Sequence, residues 1–186
     1  MAKLIYVSVM SLDGYIGDGH YDWSIPTEGS IAFITEIMRP FKTYLYGRKN
    51  YETMSFWETP DVQNMGADDQ EFGRVWQMAD KIIFSKTIDS VTTKKTRIER
   101  YFDEQKIREM KAKSPGDLCI GGPTLAAQAI RAGLVDEIQL FVTPTTISGA
   151  FPVIPVFPKN YSIKLDLLDE RRFSKGWIYL RYRLQA

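Results

Sequence analysis

At 186 residues, 44% of them hydrophobic and 25% charged, the chain has the length of one domain with a substantial core and the composition of a globular protein. Lys plus Arg total 24 against 23 for Asp plus Glu, so no global field selects nucleic acid or an anionic membrane, and any anion site must be local. One cysteine and one histidine exclude an internal disulfide and a cysteine-cluster metal site, and no metal is expected. The N-terminus lacks a signal-peptide pattern and the apolar runs are far below membrane-span length, which predicts a cytosolic protein.

Residues 3–10, KLIYVSVM, are apolar and rich in β-branched and aromatic types, and they end at the turn signal LDG, which predicts a buried, parallel first strand. YIGDGHYDWSIPTEGS follows, a long Gly-, Asp- and Ser-rich stretch that reads as a functional loop. Ile31, Ile34, Ile37 and Met38 recur at helical spacing, with Ser30 as N-cap and Pro40 as stop. Residues 42–47 predict a second strand, RKNYETMSFW a helix start, Phe72–Asp80 a short helix, and KIIFSKT a third strand. The run 90–103 fits either strand or loop, and DEQKIREMKAK is a helix closed by Pro115 and Gly116. DLCIGG then predicts a strand containing Cys119, PTLAAQAIRAG a helix with Pro123 early and Gly133 at its end, and VDEIQLFV a strand. The tail pairs two alternating stretches around SKG as an antiparallel hairpin. On its last strand Tyr179, Leu180 and Tyr182 alternate with Arg181 and Arg183, which predicts an apolar and a basic face. The sum is an α/β fold, a mainly parallel sheet with an antiparallel edge, in one domain over residues 1–186.

Ligands of such sheets bind beyond the carboxyl ends of the strands. The segments there are SLDGYIGDGHYDW, GRKNYE, SKT and GGPT. Three suit phosphate: Arg48 and Lys49 after Gly47, Ser85 with Lys86, and the pair Gly121-Gly122 before a helix. Each also has an ordinary reading, as a solvated basic turn or a strand-to-helix turn. Neither GxGxxG nor GxxxxGK[ST] is present. Asp13 reads as a turn residue, His20 as a solvated loop residue, and Trp57, Trp76 and Trp177 as core or interface aromatics.

IGGPTLAAQAIRAGLVDEIQLFVTP resembles the reductase domain of bacterial riboflavin-biosynthesis enzymes, and YGRKNYE with IIFSKT resembles dihydrofolate reductase. The ordered set of motifs spans the chain and is identified as dihydrofolate reductase-like, riboflavin-reductase C-terminal type. That resemblance implies a three-layer α/β/α fold and NADPH as cofactor. Gly47, Arg48, Lys49 and Asn50 would hold the adenosine 2′-phosphate and pyrophosphate, and Ser85 and Lys86 the adenine side. Gly121, Gly122, Pro123, Thr124 and Leu125 match the diglycine loop, with a cis Gly-Gly bond beside the nicotinamide, while Val9, Ile16 and Gly17 flank its ring. DWSIPTEGS places Trp23, Pro26 and Glu28 at the spacing of the pterin-binding acid, and Thr143 matches its threonine partner. Glu28 is accordingly expected as the catalytic acid-side residue, with Trp23 and Thr143 on the substrate. A dipole-favoured, exposed Glu28 before the helix is the competing reading. Homodimerisation through the terminal region is a further implication. The expected activity is reduction of a small heterocyclic or ribosyl substrate, pterin-like or ribosylaminouracil-like. The alternative is a nucleotide-binding domain that keeps the fold without the chemistry.

Overall fold

A computed structural model describes residues 1–27 and 29–185. The first strand, β1 (Leu4–Ser11), sits between two parallel neighbours, β6 (Leu118–Gly121) and β7 (Glu137–Thr143). Beyond β6 lie β3 (Thr43–Gly47), β4 (Asp80–Phe84) and β5 (Thr96–Glu99), all parallel. On the other side of β7 the chain adds β10 (Ile178–Leu184) and β9 (Leu165–Arg172) antiparallel, giving eight strands in the order β5-β4-β3-β6-β1-β7-β10-β9. The segment that fitted strand or loop is thus β5, an edge strand too short and polar to declare itself.

Side chains alternate across the sheet as the pleat requires. Leu4 and Tyr6 of β1 face α4 (Glu104–Lys113) and α5 (Pro123–Arg131), where Ile107, Leu125, Ala129 and Ile130 complete one core. Ile5, Tyr44, Tyr46 and Cys119 face the other way, against Met38 of α1 (Ser30–Met38), Tyr51 of α2 (Arg48–Met54), and Phe72 and Trp76 of α3 (Ala67–Met78). Three layers result, as the resemblance implied. Asp103 caps α4 through the amides of Gln105 and Lys106, and Gly133, at φ +63°, ends the α5 turn.

Several expectations are corrected. Helix α3 begins at Ala67 rather than Phe72; its first turn carries Asp68 and Asp69, which favour a helix N-terminus but show no apolar period. Gly29, at φ +74°, caps α1 in place of Ser30, whose buried hydroxyl instead donates to Thr27 O at 2.7 Å. The long first loop contains β2 (Tyr15–Gly17), paired antiparallel with β8 (Val153–Pro155) in a separate two-stranded sheet. On β10 the two-residue period sets Tyr179, Arg181 and Arg183 on one face, and Leu180 and Tyr182 on the other. Tyr179 is buried with Phe141, Phe173 and Trp177, and Arg181 ion-pairs with buried Glu137 at 2.8 Å, so neither face is simply basic.

Candidate nucleotide cleft at the carboxyl ends of the strands

A cleft of about 440 Å³ opens beyond β3, β4, β5 and the start of α5. Gly47, Arg48, Lys49 and Asn50 line it from the β3–α2 turn, Ser85 and Lys86 from beyond β4, and Gly122, Pro123, Thr124 and Leu125 from the head of α5. Ile16 and Gly17 reach it from β2. The fold therefore brings together in one cleft residues expected on the cofactor side that are far apart in sequence. Val9 packs instead beside the aromatic cluster Phe141, Phe173, Trp177 and Tyr179. Gly121 is buried beneath the cleft, where an added Cβ would stand 2.5 Å from Asn50 Nδ2 and 2.9 Å from Tyr46 Cε1.

The diglycine earns its place by close approach and by dihedral. Gly122 has φ +90° and ψ 123°, open to glycine and strained for any L side chain. The expected cis Gly-Gly bond is absent, as no cis peptide occurs among the described residues. The positive φ of Gly122 turns the chain from β6 into α5 while its peptide stays trans, so the helix head faces the cleft.

Charge is distributed unevenly. Lys49 Nζ is gripped by both Asp18 oxygens, at 2.6 and 2.7 Å, and Arg48 pairs with Glu52 at 2.8 Å. Ser85 Oγ accepts from the amides of Thr87 and Ile88, so this side chain shapes the turn beyond β4. Asp18, Tyr21, Arg100, Tyr101 and Gln128 also line the cleft. Arg100 and Tyr101 escaped sequence reading because they follow the ambiguous β5, whereas Asp18 lay in plain view in the Gly-rich loop.

Of the residues expected to meet the substrate, Trp23 lies in a short 3-10 turn (Asp22–Ser24) and its indole donates to His20 O at 2.7 Å. His20 is not merely solvated, for its ring stacks on Phe151 with centroids 4.7 Å apart. Thr143 is 1% exposed at the end of β7, and its Oγ1, like Thr27 Oγ1, has no hydrogen-bond partner among the described residues. Glu28 lies outside the described residues. Asp13 does more than turn the chain: it accepts from Ser11 Oγ and from the amides of Ile147 and Ser148. Desolvation pushes its carboxyl pKa up, but those hydrogen bonds outweigh it and hold it well below the usual range.

The residues fit a phosphorylated dinucleotide: a backbone approach no Cβ blocks at Gly47, a glycine-led helix head, and four cations around one cleft. The eight-stranded sheet with its helices and the small two-stranded sheet build a dihydrofolate reductase-like fold. The chain belongs to the RibD C-terminal domain family, whose model matches residues 2–179. It is 28% identical over 190 residues to the Bacillus subtilis (strain 168) protein named "Uncharacterized protein YyaP", covering 97% of this chain and 94% of that one. Among solved structures it is similar to a pyrimidine reductase-like protein from Corynebacterium diphtheriae, with TM-score 0.71 and 13% identity over 100% of this chain and 92% of the other. It is also similar to dihydrofolate reductase from Enterococcus faecalis complexed with NADP(H) and RAB-propyl, with TM-score 0.63, 16% identity, and 99% and 97% covered. Among the described residues no helix is long and apolar enough to cross a membrane, and no cluster of three or more His, Cys, Asp or Glu could hold a metal.

Proposed function

We propose that the protein is an NADPH-dependent reductase, working as one cytosolic domain on a small heterocyclic or ribosyl substrate, pterin-like or ribosylaminouracil-like. The observation that carries this reading is the convergence of Gly122, Arg48, Lys86 and Arg100, from four separate elements, on one cleft in a chain of a reductase-type family. When bound, NADPH would supply a hydride. The protein's own part is positional. The diglycine and the head of α5 would receive the pyrophosphate, Ile16 and Gly17 would bound the nicotinamide end, and the flap formed by β2 and β8 would exclude water. Trp23 and Thr143 would face the substrate, with Glu28 holding the proton that the reduced atom needs.

A homodimer through the terminal hairpin forms part of this proposal. Strand β9 ends the sheet as an open edge on which Leu167 and Leu168 are exposed. Sedimentation equilibrium tests it, and a monomer at micromolar concentration would remove it.

The deciding experiment is a titration with NADPH and NADH, followed by quenching of tryptophan fluorescence at low and high salt. Tighter, salt-sensitive binding of NADPH is expected, followed by oxidation of NADPH in a screen of dihydrofolate and the ribosylaminopyrimidine. Glu28→Gln should lower turnover and leave NADPH affinity nearly unchanged. Cofactor binding without turnover on any pterin, flavin precursor or carbonyl compound would favour a non-catalytic nucleotide-binding domain.

A further inference from the structure

The chain holds two Asp-Gly pairs, Asp13-Gly14 and Asp18-Gly19, one on each side of β2. Their glycines are alike: φ is +85° at Gly14 and +83° at Gly19, and an added Cβ would meet open space at both. Their carboxylates and amides differ. Asp13 accepts from Ser11 Oγ and from the amides of Ile147 and Ser148. The Gly14 amide donates to Ser11 O at 2.9 Å, and the Gly14 carbonyl accepts from Val156 N at 3.0 Å. At Asp18 a single side chain holds the carboxylate, that of Lys49, which is itself 56% exposed. The Gly19 amide has no hydrogen-bond partner among the described residues.

An aspartyl carboxyl followed by glycine can be attacked by the next amide nitrogen, because no side chain shields that nitrogen. The Gly19 nitrogen gives up its proton and bonds to Asp18 Cγ, the Cγ–O bond breaks, and one water leaves. The product is a cyclic imide. Water then opens it at either carbonyl, restoring aspartate or leaving isoaspartate, whose main chain runs through the former side-chain carbonyl. The sum is an isomerisation, with no oxidant or second reactant. At Asp13 the hydrogen bonds that keep the carboxylate ionised also keep it a poor electrophile, and the Gly14 nitrogen is engaged. At Asp18 the restraint is one ion pair open to water, a kind that contributes little and parts readily.

We propose that Asp18-Gly19 is a site of spontaneous isoaspartate formation in the folded protein, with Lys49 as its brake and Asp13-Gly14 protected, and that the conversion releases Lys49. Isoaspartate lengthens the main chain by one methylene and leaves its carboxylate directly on Cα. Next to it, Gly17 is packed so closely that an added Cβ would stand 2.2 Å from His20 O and 2.9 Å from the Trp23 indole nitrogen. A chain lengthened at 18 cannot keep both that packing and the grip on Lys49. The inference does not depend on which ligand the cleft takes.

The test keeps the full chain warm at neutral pH, folded and, in parallel, unfolded in urea. Isoaspartate is counted with an isoaspartyl methyltransferase and a labelled methyl donor, and placed by mass spectrometry after digestion with a protease that cuts before aspartate but not before isoaspartate. In the folded protein position 18 converts at least about ten-fold faster than position 13, and in urea the two rates converge, because only folding distinguishes them. Asp18→Glu, whose larger ring closes slowly, removes the signal at 18. Lys49→Met speeds conversion at 18 and leaves 13 unchanged. In the converted fraction Lys49 is acylated by a succinimidyl ester faster than in fresh protein. Equal rates at 13 and 18 in the folded chain, or conversion of neither there while both convert in urea, overturn the site. An unchanged rate in Lys49→Met overturns the brake, and unchanged acylation of Lys49 overturns its release.

Discussion

Asp18 grips Lys49 Nζ with both carboxylate oxygens, at 2.6 and 2.7 Å, and so ties the chain beyond β2 to the first turn of α2. Tyr21 OH and Thr53 Oγ1, 3.3 Å apart, make a second link between the same segments. A carboxylate lining a cleft proposed for a polyanion must be offset, and Lys49 offsets it. Asp18→Asn should free Lys49 for the ligand and tighten NADPH binding by about two- to five-fold at low salt, the scale of an exposed ion pair. High salt should erase the difference. Fluorescence titration checks it; weaker binding would mean that Asp18 acts chiefly by holding the loop.

Gly122→Ala places a Cβ at φ +90° and 3.3 Å from Asn50 Cβ. The strain of that dihedral is about 1–3 kcal/mol, and the variant should lose stability on that scale in urea unfolding. An unchanged midpoint and slope would show that the turn relaxes to a conformation open to alanine.

Glu137 is 2% exposed and is held by Arg181 and Lys3. Burial pushes its carboxyl pKa up, but hydrogen bonds from Arg181 and Lys3, and their charges, outweigh burial and leave it lowered from 4.5. The ionised form is thus favoured by folding. Its contribution is complete above the unfolded value and disappears as pH falls through the lowered folded value. Glu137→Gln should cost about 1–3 kcal/mol at neutral pH, less than a fully buried pair because Lys3 and Arg181 can turn to water. The deficit should shrink as pH falls below about 4. A deficit independent of pH would assign the effect to packing.

Lys81 is the inverse case. Its side chain is fully buried, with Nζ 4.3 Å from the Trp76 centroid and no hydrogen-bond partner among the described residues. Desolvation lowers its pKa from 10.5, partly countered by the charges of Glu58 and Asp80. The unfolded chain then binds the proton more tightly, so this residue's penalty eases as pH rises from the folded towards the unfolded value. Lys81→Met should stabilise by about 1–2 kcal/mol at pH 7 and by less near pH 10. Destabilisation at both values would show that the contact with Trp76 outweighs the burial of the charge.

Where local pattern and tertiary demand agree, the sequence reads well. The apolar run 4–10, the Gly133 turn and the SKG hairpin fall where their spacing says, because each is set by neighbours in the chain. Elements that exist through distant partners do not. Tyr15–Gly17 becomes a strand only because Val153–Pro155 lies beside it, and no periodicity within three residues can announce that. Helix α3 starts early on acidic residues that are helical through the dipole rather than through packing. In the cleft, glycines and basic residues at strand ends were readable from the chain logic of α/β sheets. The Asp18–Lys49 pair, 31 residues apart in sequence, and the anchoring of Arg100 by carbonyls 12 and 15 residues earlier require the fold.

Cys119 pairs with Ile5 on one side and Tyr44 on the other, in the middle of the parallel sheet. It is 2% exposed, and burial raises its thiol pKa well above the ordinary value. Both the access and the thiolate that alkylation needs are therefore withheld in the native state. As the chain's single cysteine, it is a built-in clock: the rate at which a maleimide or an aromatic disulfide labels the protein measures how often the seam of β1, β6 and β3 parts. A bound nucleotide that bridges the ends of those strands would slow that clock without touching the sulfur.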